Sequence, residues 1–209
     1  MACYDDFAWF YNRYWSEEFH SAAFPILARI WLDRLPPGAH ILDVCCGTGY
    51  LAALVAARGF RVTGLDVSRE MLVYARANAP AAEFILADAA SFRLPRVCDA
   101  AVSTFDSLNH LLEPAALEAA FRNIAGSLAP GGCACVVVGN RTVKGVRLET
   151  DMILSELFEN ECGLVHEETI VRGIPNKLMP LRNSPSNVPG ALGDTMANEY
   201  ILVLRRPSA

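Results

Sequence analysis

Residues 40–54 read HILDVCCGTGYLAAL: an apolar run that ends in two cysteines and a pair of glycines, then turns helical. Ile41-Leu42-Asp43-Val44 has the character of a buried strand. Gly47 and Gly49 mark a tight turn where a ligand can approach the backbone closely. From this turn onward, strand and helix patterns alternate. Strands are expected at His40–Cys45, Arg61–Asp66, Glu83–Ala87, Cys98–Thr104 and Cys133–Gly139. Helices are expected between them near Leu51–Ala57, Arg69–Asn78 and Ala115–Leu128. The strands are short and continuously apolar, as in an α/β fold whose parallel sheet is covered on both faces. A further helix fits Leu148–Glu159, and two more strands fit Leu164–Arg172 and Asn198–Arg205. Between those last strands, GIPNKLMPLRNSPSNVPGALGDTM is too rich in proline and glycine for regular structure. Loops of that length usually carry function or are disordered.

The 209 residues suit one domain over 1–209, divided into an N-terminal segment (1–37), a core (38–140) and a C-terminal part (141–209). No apolar run approaches the roughly 20 residues that span a bilayer. The opening MACYDDFAWF lacks the basic and apolar blocks of a secretory leader, so a cytoplasmic protein without membrane attachment is expected. A net charge of −5 gives no general attraction to nucleic acid. The seven cysteines show neither a C-x-x-C pair nor zinc spacing. Reduced thiols and no metal are therefore expected, with Cys45 and Cys46 filling a tight turn.

Ten of the nineteen aromatic residues precede Asp33. A helix is expected to start at Ser16, which can cap it, with Glu17 and Glu18 in the first turn. Phe19, Ala22, Ala23, Ile26, Leu27, Ile30 and Trp31 then form one apolar stripe, kinked at Pro25.

Ligands of open parallel sheets bind beyond the carboxyl ends of the strands. Asp43, Asp66 and Asp88 lie at or near the ends of three successive expected strands. A dinucleotide fold calls for G-x-G-x-x-G facing a diphosphate, but here the third position is Ala52. Asp43 is also a poor neighbour for a diphosphate. S-adenosyl-L-methionine instead presents a ribose, an adenine, an ammonium and a sulfonium, which three carboxylates suit.

The segments ILDVCCGTGYLA, VTGLDVSREML, LADAASF, CDAAVSTFDSLNHL and LAPGGCACVVV occur in that order. They closely resemble the successive motifs of class I S-adenosylmethionine-dependent methyltransferases of small-molecule type, over roughly Tyr4 to Gly139. The resemblance implies a Rossmann-like, seven-stranded, mostly parallel sheet with an antiparallel last strand, helices on both faces and an N-terminal helical lid. It implies that Gly47 and Gly49 line the methionine part of the cofactor, whose product is S-adenosyl-L-homocysteine. Asp66 would hold the ribose, and Asp88 with Ala89 would frame the adenine. Asp43, Cys45, Val67, Met71, Ala90, Thr104 and the lid residue Tyr14 complete the expected cofactor contacts. Tyr4, Tyr11 and Trp15 match the rest of the aromatic lid.

Methyl transfer is an in-line displacement, so the chain mainly aligns the acceptor and excludes water. A general base matters only where the acceptor must lose a proton. The candidates lie in STFDSLNHL, after the fourth strand: Asp106, Asn109 and His110, with His110 the natural base. Tyr11 and Phe105 are expected to meet the acceptor. The segment after Gly139 resembles the C-terminal part of DNA-modifying amino-methyltransferases. Those enzymes carry a D/N/S-P-P-Y/F/W tetrapeptide after the fourth strand, where this chain reads STFDS, and no such tetrapeptide occurs in it. A small-molecule acceptor is therefore expected ahead of nucleic acid, or else a cofactor-binding protein without turnover. Lys177 and Arg182 are expected to meet a phosphate or carboxylate of the acceptor, and the long loop to form the pocket's second wall. The sequence is compatible with a monomer or a homodimer.

Overall fold

The computed structural model describes residues 4–105, 107–143, 146–173 and 198–208. Two N-terminal helices, α1 (Ala8–Tyr14) and α2 (Ser16–Ile30), lead into β1 (His40–Val44), α3 (Tyr50–Ala57), β2 (Arg61–Asp66), α4 (Arg69–Asn78) and β3 (Glu83–Leu86). Then come β4 (Cys98–Ser103), α5 (Pro114–Ser127), β5 (Leu128–Val138), the short strands β6 (Arg141–Val143) and β7 (Val146–Leu148), α6 (Thr150–Cys162), β8 (Val165–Gly173) and β9 (Asn198–Arg205).

Seven strands form one sheet in the order β3-β2-β1-β4-β5-β9-β8, while β6 and β7 pair apart from it. The first five strands are mutually parallel, and β9 runs antiparallel to both β5 and β8. The expected α/β architecture with an antiparallel last strand is thus present. The chain leaves β1 toward β2 on one side and returns to β4 on the other, so the tips of β1 and β4 flank the topological switch point.

Alternate residues of the central strands feed two cores, as a two-residue period requires. Leu42, Val136, Leu202 and Leu204 pack with Phe121 of α5 and Phe158 of α6, whose rings lie 4.4 Å apart. On the other face, Ile41, Cys135, Val137 and Ile201 pack with Leu27 and Trp31 beside α2 and Leu51 of α3.

Four local expectations change. Helix α1 was not foreseen, being seven residues long and lacking a side-chain cap. Ser16 begins α2 without capping it, because its hydroxyl pairs instead with the Thr48 hydroxyl at 2.7 Å. The buried line of helix α2 runs through Ser16, His20, Ala23, Leu27 and Ile30, leaving Phe19 and Ala22 exposed. The β5 ladder takes in Leu128, opposite Cys98, before its register shifts and Cys133 pairs with Ala100.

Candidate functional site

The β1–α3 turn is built from left-handed backbone. Cys45, Gly47 and Gly49 have φ of 60°, 54° and 73°. At Gly49 a Cβ would fall 2.9 Å from the Ala75 backbone of α4, so only glycine lets the helix pack this closely. At Gly47 the nearest atom to such a Cβ is Tyr11 Cε1, at 3.8 Å. The lid residue over the turn is therefore Tyr11. Tyr14, expected at the cofactor, is 53% exposed and packs its ring on Trp9 and Phe10.

Asp66, at the end of β2, ties neighbouring tips together. Its Oδ2 accepts from the Gly47 N–H at 2.9 Å and its Oδ1 from the Ser68 N–H at 2.8 Å. Burial raises its pKa, and these backbone hydrogen bonds pull it back down. Ser68 caps α4 through the Met71 N–H and donates its hydroxyl hydrogen to Asp5. Asn78 donates to the Thr48 carbonyl and to Asn12 of α1, each at 2.8 Å. The first two helices are thus fastened to the glycine turn at several points.

Asp43 lies beneath that turn. It is 3% exposed, and its Oδ2 has no hydrogen-bond partner. Burial, and next the charge of Asp66, raise its pKa to about 7. A buried acceptor without a donor is costly, and a bound cation would relieve it. Burial likewise pushes the Cys45 thiol up to about 12 and raises the Cys46 thiol well above its ordinary value, so neither is a reactive thiolate. Val67, after Asp66, is 58% exposed, whereas Met71 and Ala89 are buried. Asp88 is exposed and accepts from the Ala90 N–H at 2.8 Å. Two carboxylates at the glycine turn, the second beside an uncovered apolar residue, fit an adenosyl sulfonium.

A second group of residues surrounds the tip of β4. Phe105 follows it with φ 58°, a strained conformation for a bulky residue. The Phe105 ring stands edge-on to His20 at 4.7 Å and lies 5.9 Å from Phe19. Behind it, a narrow crevice of about 10 Å³, room for about one water molecule, is lined by Ala23, Leu27, Thr104, Phe105 and the Arg172–Glu199 ion pair. Arg172 Nε is buried there without a partner. Thr104, expected at the cofactor, lines this crevice. His110 is exposed, and its Nε2 lies 2.9 Å from the Tyr4 hydroxyl. Asp106, Lys177, Arg182 and nearly all of the long loop lie outside the described residues, as does the Asn109 side chain. His20, Arg172 and Glu199 were not anticipated. α2, β8 and β9 each carry other polar and charged residues, so no sequence signal singled these three out.

Residues 41–132 match a family described as a methyltransferase domain. The chain is 48% identical over 69 residues to the type II methyltransferase M.MvaI of Kocuria varians, covering 33% of this chain and 15% of that protein. It is 36% identical over 110 residues to the dTDP-3-amino-3,4,6-trideoxy-alpha-D-glucopyranose N,N-dimethyltransferase of Streptomyces venezuelae, covering 53% of this chain and 46% of that one. The chain therefore spans less than half the length of either relative. The N-methyltransferase NodS of Bradyrhizobium japonicum, crystallised with S-adenosyl-L-homocysteine, superposes with a TM-score of 0.66 at 17% identity. That match covers 96% of this chain and 92% of NodS.

Proposed function

We propose that this chain, a class I S-adenosylmethionine-dependent methyltransferase by its domain and fold, transfers a methyl group to a small-molecule acceptor in the cytoplasm. The observation that carries this reading is the buried Asp43 carboxylate, one oxygen unpartnered, beneath a glycine turn that Asp66 ties to the neighbouring strand. Asp43 would face the ligand's cationic end, Gly47 and Gly49 would admit its chain, and Asp66 would accept from the ribose hydroxyls. Val67, Asp88, Ala89 and Ala90 would frame the adenine, with Cys45 and Met71 behind them. When bound, the cofactor supplies a methyl group on a sulfonium, open to in-line displacement. Tyr11 covers the turn and excludes water from it. Tyr11 and Phe105 would meet the acceptor, and the candidate bases would be His110, Asp106 and Asn109, which follow Phe105 in the chain.

Calorimetry with S-adenosyl-L-homocysteine and NAD tests the cofactor. Binding of the first and not the second is expected, and the reverse would overturn the reading. Transfer of labelled methyl to a metabolite extract then tests the acceptor class.

A second reading, methylation of a nucleic-acid amino group, is favoured by the 48% identity to M.MvaI. Label incorporated into DNA or RNA instead of the metabolite fraction would establish it.

A further inference from the structure

The end of the sheet opposite the glycine turn carries a groove of its own. The segment after β3 and the last turns of α5 lead into the amino ends of the parallel strands β4 and β5. Between them, residues 92–97 and 122–127 line an open groove of about 360 Å³. That is room for a small organic molecule, at the lower end of the roughly 300–1,000 Å³ usual for ligand sites.

Its charge runs against that of the whole chain. Arg93, Arg96 and Arg122 all line it, in a protein with a net charge of −5. Glu118 and Glu161 neutralise Arg122. The partners of Arg93 are neutral: Nη1 donates to the Phe92 carbonyl at 2.9 Å and to Asn123 Oδ1 at 2.6 Å. The Asn123 amide in turn donates to the Ala89 carbonyl at 3.1 Å, which keeps its Oδ1 toward Arg93. The guanidinium is thereby held in place, with Nε and Nη2 left for a ligand. Arg96 has no partner among the described residues. The carbonyl end of α5 compensates neither charge, because Arg206 already donates to the Ala125 and Leu128 carbonyls. Two guanidiniums without a counter-charge therefore share one groove with the apolar side chains of Leu94 and Val97. The α5 wall has a gap at Gly126, where an added Cβ would meet nothing within 4 Å.

We propose that this groove binds a small phosphate-bearing molecule, at a site separate from the methyl-transfer centre. A phosphate monoester brings nearly two negative charges and three acceptor oxygens, which two unpaired guanidiniums match. Leu94 and Val97 would meet its organic part. Glu118 and Glu161, behind Arg122, oppose a long polyanion and favour a compact ligand over nucleic acid.

The test uses the full chain with phenyl phosphate, phenyl sulfate and phenol, in NMR titrations at low salt. Phenyl phosphate should bind tightest and phenol weakest, shifting the Gly126 amide while the Gly47 amide stays in place. Arg93→Gln and Arg96→Gln should each weaken phenyl phosphate about tenfold. Gly126→Phe, whose ring would fill the groove, should abolish that binding and leave S-adenosyl-L-homocysteine affinity unchanged. A Gly126 amide indifferent to phenyl phosphate, equal binding of phenol, or full affinity in Gly126→Phe overturns the inference. A short single-stranded DNA should not displace the probe; displacement would assign the groove to nucleic acid instead. Should Gly126→Phe not fold, the arginine variants decide alone, and unchanged affinity in both overturns the site.

Discussion

Around Asp43 and Asp66 the strand tips are held by backbone-to-carboxylate hydrogen bonds between residues close in the chain: Gly47 with Asp66, and Ser68 with Asp66. Around Phe105 the tips are held by ring contacts and an ion pair between distant segments: Phe19 and His20 on α2, Phe105 after β4, and Arg172–Glu199 across β8 and β9. The first region is a rigid turn that tolerates little change. The second is a set of side chains that can be replaced one at a time. In such a fold the invariant ligand meets the first kind of construction, and the variable partner meets the second.

The largest effect expected on this contrast comes from Gly49. Gly49→Ala forces a left-handed alanine against the α4 backbone at 2.9 Å, at a cost of about 4 kcal/mol. Gly47→Ala meets only the Tyr11 ring edge at 3.8 Å and should cost about 1 kcal/mol. Urea unfolding of the two variants measures the difference. Equal costs would show that the turn is not rigid.

Asp43 gives the next effect, and its sign can be worked out. Its carboxyl titrates near 3.8 when unfolded and near 7 when folded, because burial and Asp66 oppose its charge. The folded chain thus binds more protons across that window. Its contribution to stability is full below about pH 4 and is lost as pH rises to about 7, a swing of about 4 kcal/mol. Asp43→Asn should remove the swing and stabilise the free chain at pH 8. Affinity for a cationic ligand should change the opposite way in wild type, rising up to about tenfold per pH unit below pH 7. The groups facing Asp43 are Asp66, Tyr11, Cys45 and Cys46; burial raises the hydroxyl and both thiols away from this range, and the raised pKa of Asp66 adds a slope of the same sign. Thermal melts and calorimetry at several pH values, wild type against Asp43→Asn, isolate the Asp43 part.

These two positions were legible in the sequence because their geometry is local. A strand of fixed length and a glycine turn set where Asp43, Gly47, Gly49 and Asp66 fall, whatever the rest of the chain does. The alternation of strands and helices was legible for the same reason. Other features depend on docking, which no local pattern encodes. That Tyr11 and not Tyr14 covers the turn follows from how the seven-residue α1 seats against α4. The inward line of α2 turned toward His20 because Ser16 pairs with Thr48, which rotates Phe19 and Ala22 outward. Arg172 and Glu199 meet because β8 and β9 pair antiparallel in the register that sets these two residues opposite each other. His110, plausible by position, is engaged by Tyr4, a residue 106 places away.

Asp66→Ala should weaken S-adenosyl-L-homocysteine about 100-fold, since two backbone amides lose a charged acceptor as well as the ligand losing its own. Calorimetry measures it, and a loss below about threefold would place the ribose elsewhere. In the second region, Glu199→Gln leaves the Arg172 guanidinium half-buried without its counter-charge and should cost about 2 kcal/mol. It should leave S-adenosyl-L-homocysteine affinity unchanged, because no cofactor candidate touches the pair. A coupled loss of both would mean that the two regions are one mechanical unit.

Tyr4→Phe is the smallest and the sharpest of these changes. It removes an exposed hydrogen bond and keeps the ring that stands edge-on to His110 at 5.1 Å, so stability should fall by no more than about 1 kcal/mol. That bond joins the N-terminal segment, fastened to the glycine turn through Asp5, Asn12 and Ser16, to the segment after β4. It is one link between the two regions, beside the contacts of Phe19 and His20 with Phe105. Hydrogen exchange in Tyr4→Phe should rise around Leu108 and His110 while the Gly47 amide, held by Asp66, keeps its protection. Faster exchange at Gly47 as well would show that the lid, and not Asp66, holds the turn in place.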